Sequence, residues 1–88
     1  MQWDDIRTQY PSMWVVVEAI NAYTQDDRRI VEELSLVFHA EDWESAWNRY
    51  KQVHHEDKRR EYYCLHTDRE QLEIGVLDVF GRSIKQHV

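Results

Sequence analysis

The stretch that decides the fold is Trp14-Val15-Val16-Val17-Glu18-Ala19-Ile20-Asn21-Ala22-Tyr23, the most apolar ten residues in the chain. Three consecutive valines, an isoleucine and two aromatic rings favour an extended backbone, because branched and ring side chains pack well on a pleated surface and lose rotamers in a helix. Apolar side chains also fall on both faces of such a strand. The stretch therefore predicts an inner strand with a layer of structure above it and another below it.

A second strand is predicted at residues 29–39, after the aspartate-rich break at residues 24–28. We expect an antiparallel hairpin in which Tyr23 pairs with Ile30, because a slip of one residue would turn every side chain to the other face. This register predicts one apolar face made of Val15, Val17, Ala19, Tyr23, Ile30, Leu34, Leu36 and Phe38. The opposite face carries a smaller apolar set, consisting of Trp14, Val16, Ile20, Val31 and Val37.

Two helices are indicated by apolar residues at helical spacing. Residues 3–10 predict a short helix that Pro11 ends, and residues 41–55 predict the longest helix, whose stripe contains Trp43, Ala46, Trp47 and Tyr50. We expect the longer helix to cover the larger apolar face of the hairpin, because two tryptophans and a tyrosine bring a large apolar area. The short helix is left to cover part of the opposite face.

A third strand is predicted at residues 61–66, Glu-Tyr-Tyr-Cys-Leu-His. A position beside the second strand would give the order 1-2-3, whereas a position beside the first gives 2-1-3, which the apolarity of the central stretch favours. The predicted fold class is α+β, a small α-β-β-α-β-α domain with a three-stranded, mainly antiparallel sheet and helices packed mainly on one face.

The segment that follows the third strand contains the pattern of a capping box, Thr67-Asp68-Arg69-Glu70. This pattern predicts a helix that begins at Thr67, and a Thr67→Ala substitution is then expected to destabilise the fold by about 1 kcal/mol. A short helix followed by a fourth strand is the alternative, so residues 74–80 could be helix or strand. Residues 82–88 are predicted to be a flexible tail.

Composition limits the classes of protein to which the chain can belong. Its 88 residues predict a single domain over residues 1–88, and the formal net charge of −6 disfavours binding to nucleic acid or to an anionic membrane. A single cysteine, Cys64, forms no internal disulfide and suits a reducing compartment. The acidic start does not resemble a secretory signal, and no apolar run approaches the length of a membrane helix. We expect a cytoplasmic protein.

Two pairs of residues could carry chemistry, but each has a structural explanation. His54 and His55 are adjacent and point about 100° apart on a helix, so they are poorly placed to share a metal ion. Cys64 and His66 lie two apart on one strand face, which is the spacing of a thiolate and its base, although a cysteine inside an apolar strand is more often a small core residue. We predict no catalytic residue, no metal site and no cofactor.

Three segments resemble a class of short bacterial proteins of no known function. Those proteins have a Tyr-Pro before a Trp-Val-x-Val-Glu-Ala strand, followed later by a His-Thr-x-Arg-Glu segment. Here the three segments are Tyr10-Pro11, residues 14–19 and residues 66–70. The resemblance covers most of the chain and implies one compact cytoplasmic domain, with no activity or catalytic residue attached to it.

The sequence therefore predicts a non-enzymatic protein–protein interaction module that forms a homodimer or binds another protein. The expected interface is the smaller apolar face, consisting of Trp14, Val16, Ile20, Val31 and Val37, because the short helix is too small to cover it. Val16→Glu and Val37→Lys are then expected to dissociate the dimer while the fold is retained. The alternative is a small-ligand, metal or thiol site around Cys64 and His66, or around His54 and His55.

Overall fold

The computed structural model describes residues 1–72 and 74–75 of the chain. Its elements, in chain order, are α1 Trp3–Gln9, β1 Trp14–Gln25, β2 Arg28–Ala40, α2 Trp43–Glu56, β3 Tyr62–His66 and β4 Ile74–Gly75. The strands form one antiparallel sheet with the order β3-β1-β2-β4. The α+β class and the predicted order 2-1-3 of the first three strands are confirmed, and the two-residue β4 extends the sheet beyond β2.

The β1–β2 hairpin has the predicted register, because Tyr23 pairs with Ile30. Asp26 and Asp27 form the two-residue connection, and both have positive φ angles, 52° and 61°. Positive φ at both central positions is the geometry of a type I′ turn, whose twist matches that of the flanking strands. The turn therefore fixes the register from one end of the hairpin, and the core of β1 fixes it from the other.

Bulges in the hairpin divide its side chains between the faces differently from the prediction. Val16 pairs with Phe38 while the next residue, Val17, pairs with Leu36, so Val37 is an extra residue in β2. A bulge of this kind moves the side chains beyond it to the other face. Phe38 consequently lies on the face of Val16 rather than on that of Val15, which corrects the predicted division.

One helix packs on each face of the sheet, which corrects the prediction that the helices lie mainly on one face. Trp3 and Ile6 of α1 pack on the face of Val15 and Val17, and the same core cluster contains Leu34 and Leu65. On the opposite face, the Trp43 ring of α2 contacts the Trp14 ring with centroids 4.7 Å apart. The two helices have thus exchanged their predicted faces. The physical reason is that the bulge adds Phe38 to the face of Trp14 and Val16, which gives that face an apolar surface for α2.

The predicted helix at Thr67 is wrong, because residues 67–72 contain a turn and no helix. The Thr67 hydroxyl accepts a hydrogen bond from the Met13 N–H at 2.9 Å and donates one to the Tyr10 carbonyl at 2.7 Å. These two contacts occupy the hydroxyl that the capping box would need for Glu70. Strand β4 agrees with the alternative of a fourth strand, whereas residues 76–80 and the predicted tail at 82–88 lie outside the described residues.

Candidate interaction surface

A ladder of stacked rings runs along α2, and we call Trp43, Trp47, Tyr50 and His54 the aromatic stripe. Successive ring centroids along it are 5.1, 5.0 and 5.7 Å apart. Residues three and four apart lie above one another on a helix, so this sequence spacing alone brings the four rings together. Trp43 and Trp47 are nevertheless 45% and 36% exposed. The stripe is therefore packed along its length and open on its outer side.

The aromatic stripe faces β3 rather than β2. Ala46 is fully buried, and the guanidinium of Arg49 lies 4.8 Å from the ring centroid of Phe38, which belongs to β2. On the other side of α2, burial and the neighbouring Cys64 of β3 raise the pKa of Tyr50. The exposed tryptophans therefore belong to the side of α2 that leads to β3.

The outer edge of β3 is not paired with any strand in the described part of the chain. Hydrogen bonds join Ala19 N–H to the Glu61 carbonyl and Thr67 N–H to the Met13 carbonyl, each at 2.8 Å, so the odd-numbered positions of this strand face β1. The alternation of an antiparallel ladder then turns the backbone groups of Tyr62, Cys64 and His66 away from β1. The His66 carbonyl accepts from the Arg69 N–H at 3.1 Å. Each of these three residues still directs its N–H outward.

The outer edge of β2, by contrast, is covered at two places. Strand β4 pairs with Arg28 and Arg29, and the Leu34 N–H donates to the Met1 carbonyl at 2.7 Å. The chain after β3 leads away from the β3 edge, because the Trp3 indole N–H donates to the Arg69 carbonyl at 2.8 Å and Leu72 packs against the core cluster. Residues 69–72 thus cross the α1 face of the sheet.

A cleft of about 420 Å³ lies where α2 ends and β3 begins. At its wall, the Arg29 guanidinium donates to both carboxylate oxygens of Glu61, at 2.8 and 3.0 Å, and the Tyr63 hydroxyl also donates to Glu61. Burial alone would raise the pKa of the Glu61 carboxyl, but the hydrogen bonds from Arg29 and Tyr63, together with the Arg29 charge, hold that pKa below its usual range. Burial and the bond to Glu61 raise the pKa of Tyr63. The remaining lining residues are Thr24, Tyr50, His54, Lys58, Arg59, Arg60 and Tyr62.

The structure does not bring the five predicted interface residues together. Val16 is fully buried, the Trp14 ring lies between those of Trp43 and His66, and Val31 packs against the α1 core cluster. Ile20 is 52% exposed, and Val37 is the half-buried extra residue of the bulge. The bulges and α2 distribute these side chains over both faces of the sheet, so the five do not form one exposed patch. Self-association itself stays a prediction.

The predicted alternative is a small-ligand, metal or thiol site around Cys64 and His66, or around His54 and His55. Burial raises the pKa of the Cys64 thiol to about 12, so the thiol is almost fully protonated at neutral pH. The His66 ring lies 4.9 Å from the Trp14 ring, and its Nδ1 accepts from the Asp68 N–H. His54 ends the aromatic stripe and lines the cleft, whereas His55 is exposed. No group of three or more His, Cys, Asp or Glu side chains within residues 1–72 and 74–75 is arranged to hold a metal ion.

Sequence reasoning missed the surface that α2 and β3 form together, although one signal for it was present. The order 2-1-3 already makes the third strand an edge strand, and the helical stripe already contains the exposed tryptophans. The spacing of apolar residues does not indicate which face of the sheet α2 covers, because both faces of β1 are apolar.

Comparison with known proteins finds no relative of this chain. No protein-family model matches the chain, and no significant match is found among curated proteins or solved structures. Within the described residues, no helix is both long and apolar enough to cross a membrane.

Proposed function

We propose that this chain is a non-enzymatic protein–protein interaction module of the cytoplasm, and that it binds an extended segment as an additional strand along β3. The observation that carries the proposal is the position of the aromatic stripe directly beside the outer edge of β3, which no strand within residues 1–72 and 74–75 pairs with. Backbone hydrogen bonds to Tyr62, Cys64 and His66 would supply affinity, as they do in other complexes formed by strand addition.

Side chains of the added strand would meet the exposed rings of Trp43 and Trp47. Aromatic residues are enriched among those that contribute most of the binding energy at protein interfaces. The added strand would cover the outward N–H and C=O groups of β3 and the apolar rings in one contact. A non-catalytic role agrees with the high pKa of the Cys64 thiol, which leaves almost no nucleophilic thiolate at neutral pH.

Selection of peptides from a randomised display library tests this proposal. Peptides are selected on the intact protein and then measured on two variants, Cys64→Pro and Cys64→Ser. Proline removes the outward N–H of residue 64 without removing a bond to β1, and edge strands tolerate proline at such positions. Serine removes the thiol but keeps the N–H, so it is the matched control.

The proposal expects extended peptides that bind the protein and Cys64→Ser equally, and Cys64→Pro at least about tenfold more weakly, the equivalent of one strong interfacial hydrogen bond. Circular dichroism establishes that both variants are folded. Peptides that bind Cys64→Pro as tightly as Cys64→Ser would contradict strand addition at β3, and so would failure to select any binder on a protein that is monomeric at the concentration used.

The cleft supports a second candidate function, the binding of a small anionic ligand. The guanidinium of Arg60 is shared between Glu18 and Asp57, but Lys58 lines the cleft with no ion pair to another described residue. A thermal-shift screen with metal ions and small anionic metabolites tests it, because a ligand that binds only the folded state raises the melting temperature. A shift of several degrees that is lost in Lys58→Gln would favour a ligand site, and the absence of any shift would contradict one.

A further inference from the structure

We infer that the strand added to β3 is β3 of a second copy of this chain, with Cys64 opposite Cys64 of the partner subunit. This inference rests on the proposed function and names the occupant of the same surface. A two-fold axis perpendicular to the sheet would join two β3 strands antiparallel and extend the sheet through both copies. Closed two-fold symmetry is the commonest form of protein self-assembly.

The register follows from the direction of the backbone groups. Only residues whose N–H and C=O point outward can form a hydrogen-bonded pair across the new contact. With Cys64 opposite its equivalent, Tyr62 lies opposite the partner's His66, and all three outward residues of each copy are paired. The His66 carbonyl, which already accepts from the Arg69 N–H, would accept from the partner's Tyr62 through its second lone pair. A shift by two residues in either direction loses one of these pairs. The Cys64 register is therefore the one that uses the edge most fully.

The same axis brings the two aromatic stripes toward each other. Both α2 helices would lie on one face of the joined sheet, and each stripe faces the β3 side of its own helix. The helices lie across β1 of each copy, so three strand spacings of about 4.8 Å separate their axes by roughly 14 Å. Directly packed helices are roughly 8–10 Å apart, and the exposed rings of Trp43 and Trp47 are large enough to fill the difference. One contact would thus cover the exposed edge and the exposed tryptophans.

Charge at the two ends of β3 is complementary in this arrangement. Lys58, Arg59 and Arg60 precede β3, where Asp57 pairs with both arginines, Glu18 pairs with Arg60, and Lys58 has no ion pair to another described residue. Asp68 and Glu70 follow β3 and flank Arg69, whose Nε donates to the Gln71 carbonyl. An antiparallel contact places the basic end of each strand beside the acidic end of the other, with Arg60 near the partner's Asp68. A parallel contact would place like ends together, so the charges favour the antiparallel contact and its register.

Mass and cross-linking test the inference on the full chain. Sedimentation equilibrium at micromolar concentration is expected to give twice the 10.8 kDa of one chain, and Cys64→Pro is expected to give the mass of one chain. Trp47→Gln is expected to raise the dissociation constant of the dimer about tenfold or more, as loss of a central interfacial tryptophan commonly does. Glu44→Gln, a change on an exposed position of the same helix, is the control and is expected to leave the constant unchanged.

The register is tested in a Cys64→Ser background that carries either Tyr62→Cys or His66→Cys. A mixture of the two variants is expected to form an intermolecular disulfide under mild oxidation, because paired residues have Cα atoms about 5.5 Å apart, within the range of a disulfide. Each variant alone is expected to form little cross-link, since its two thiols would lie four residues apart along the joined strands.

A monomeric mass would overturn this inference, and so would equal cross-linking of the mixture and the single variants. A monomer that binds selected peptides along β3 would leave the proposed strand-addition function intact. A monomer that binds no peptide would overturn both.

Discussion

At the scale of single residues, Thr67 connects three parts of the chain through groups that are buried. Thr67 is 2% exposed, its hydroxyl bonds to Met13 and Tyr10, and its carbonyl accepts from the Arg7 Nε at 2.9 Å. The residue thus ties the turn after β3 to α1 and to the entry of β1. The capping box predicts that the Thr67 hydroxyl caps a helix, whereas in the structure this hydroxyl bonds to Met13 and Tyr10.

Thr67→Val keeps the shape of the side chain and removes both hydroxyl bonds. We expect a loss of roughly 2 kcal/mol or more in the free energy of unfolding, because the Met13 N–H and the Tyr10 carbonyl lose their partner away from water. Urea denaturation measures the loss. The control is Thr8→Val, which removes only an exposed bond to the Asp4 carbonyl, and equal losses in the two variants would contradict this role of Thr67.

Glu61 is expected to make the stability of the fold depend on acid. Its pKa in the folded chain lies below the ordinary value of 4.5, so the unfolded chain binds more protons near that pH. The stabilisation is present above pH 4.5 and is lost as the pH falls through the folded-state pKa. Glu61→Gln should lower the free energy of unfolding by roughly 1–3 kcal/mol at neutral pH and flatten its fall in acid.

Urea denaturation of the parent chain and of Glu61→Gln, at several pH values between neutral pH and pH 3, measures how the free energy of unfolding of each depends on acid. Glu33→Gln, a change at an exposed carboxylate of β2, serves as the control for the lost charge. An acid dependence that is as steep in Glu61→Gln as in the parent chain would show that the bonds from Arg29 and Tyr63 do not hold the carboxylate.

At the scale of elements, the β1–β2 hairpin depends on a turn whose residues are not the best for its geometry. Asp26 and Asp27 both occupy the left-handed region, where a Cβ atom is unfavourable and where asparagine and glycine are preferred. The hairpin keeps its register because the valines of β1 pack on both faces. The turn sets the register near Tyr23, and the bulge at Val37 shifts it by one residue at Val15 and Val16. The two aspartates are not the residues that stabilise this turn best.

Replacement of Asp26-Asp27 by Asn-Gly is expected to stabilise the protein by about 1 kcal/mol, since it relieves two left-handed aspartates. Thermal and urea denaturation measure the gain. The matched control is Ala-Ala at the same positions, which removes the same charges but keeps the Cβ atoms and should destabilise. A gain with Ala-Ala as large as with Asn-Gly would assign the effect to charge rather than to backbone geometry.

At the scale of the whole molecule, the sheet lies between two different layers. The α1 face holds the apolar core cluster, and the α2 face holds Val16, Trp14 against Trp43 of the aromatic stripe, and Phe38 against Arg49. The stripe is the part of the α2 layer that remains exposed, and it lies toward β3. This asymmetry places the candidate interaction surface on one side of the molecule.

Val16→Glu was predicted to dissociate a dimer and leave the fold intact, but the buried position of Val16 changes the expected outcome. A carboxylate there would be buried between Phe38 and Cys64, the cross-strand neighbours of Val16, so we expect destabilisation by roughly 4 kcal/mol or more, a large share of the stability of a small domain. Ile20→Glu, at a residue that is 52% exposed, should cost less than about 1 kcal/mol. Circular dichroism and urea denaturation distinguish the two, and a stable Val16→Glu variant would contradict the packing of α2 on this face.

The sequence by itself determined the central strand, the Tyr23–Ile30 register, the 2-1-3 order and the ring spacing of α2, because each depends on periodicity or turn chemistry within a short segment. The tertiary structure alone decided which helix covers which face, where the Thr67 hydroxyl bonds, and that the tryptophans of α2 lie beside the open edge of β3. The physical reason for the faces that the helices cover is the bulge at Val37, which moves Phe38 across the sheet. A bulge is stable only when the contacts it creates outweigh the ladder bond it disrupts, and those contacts come from residues far away in the chain.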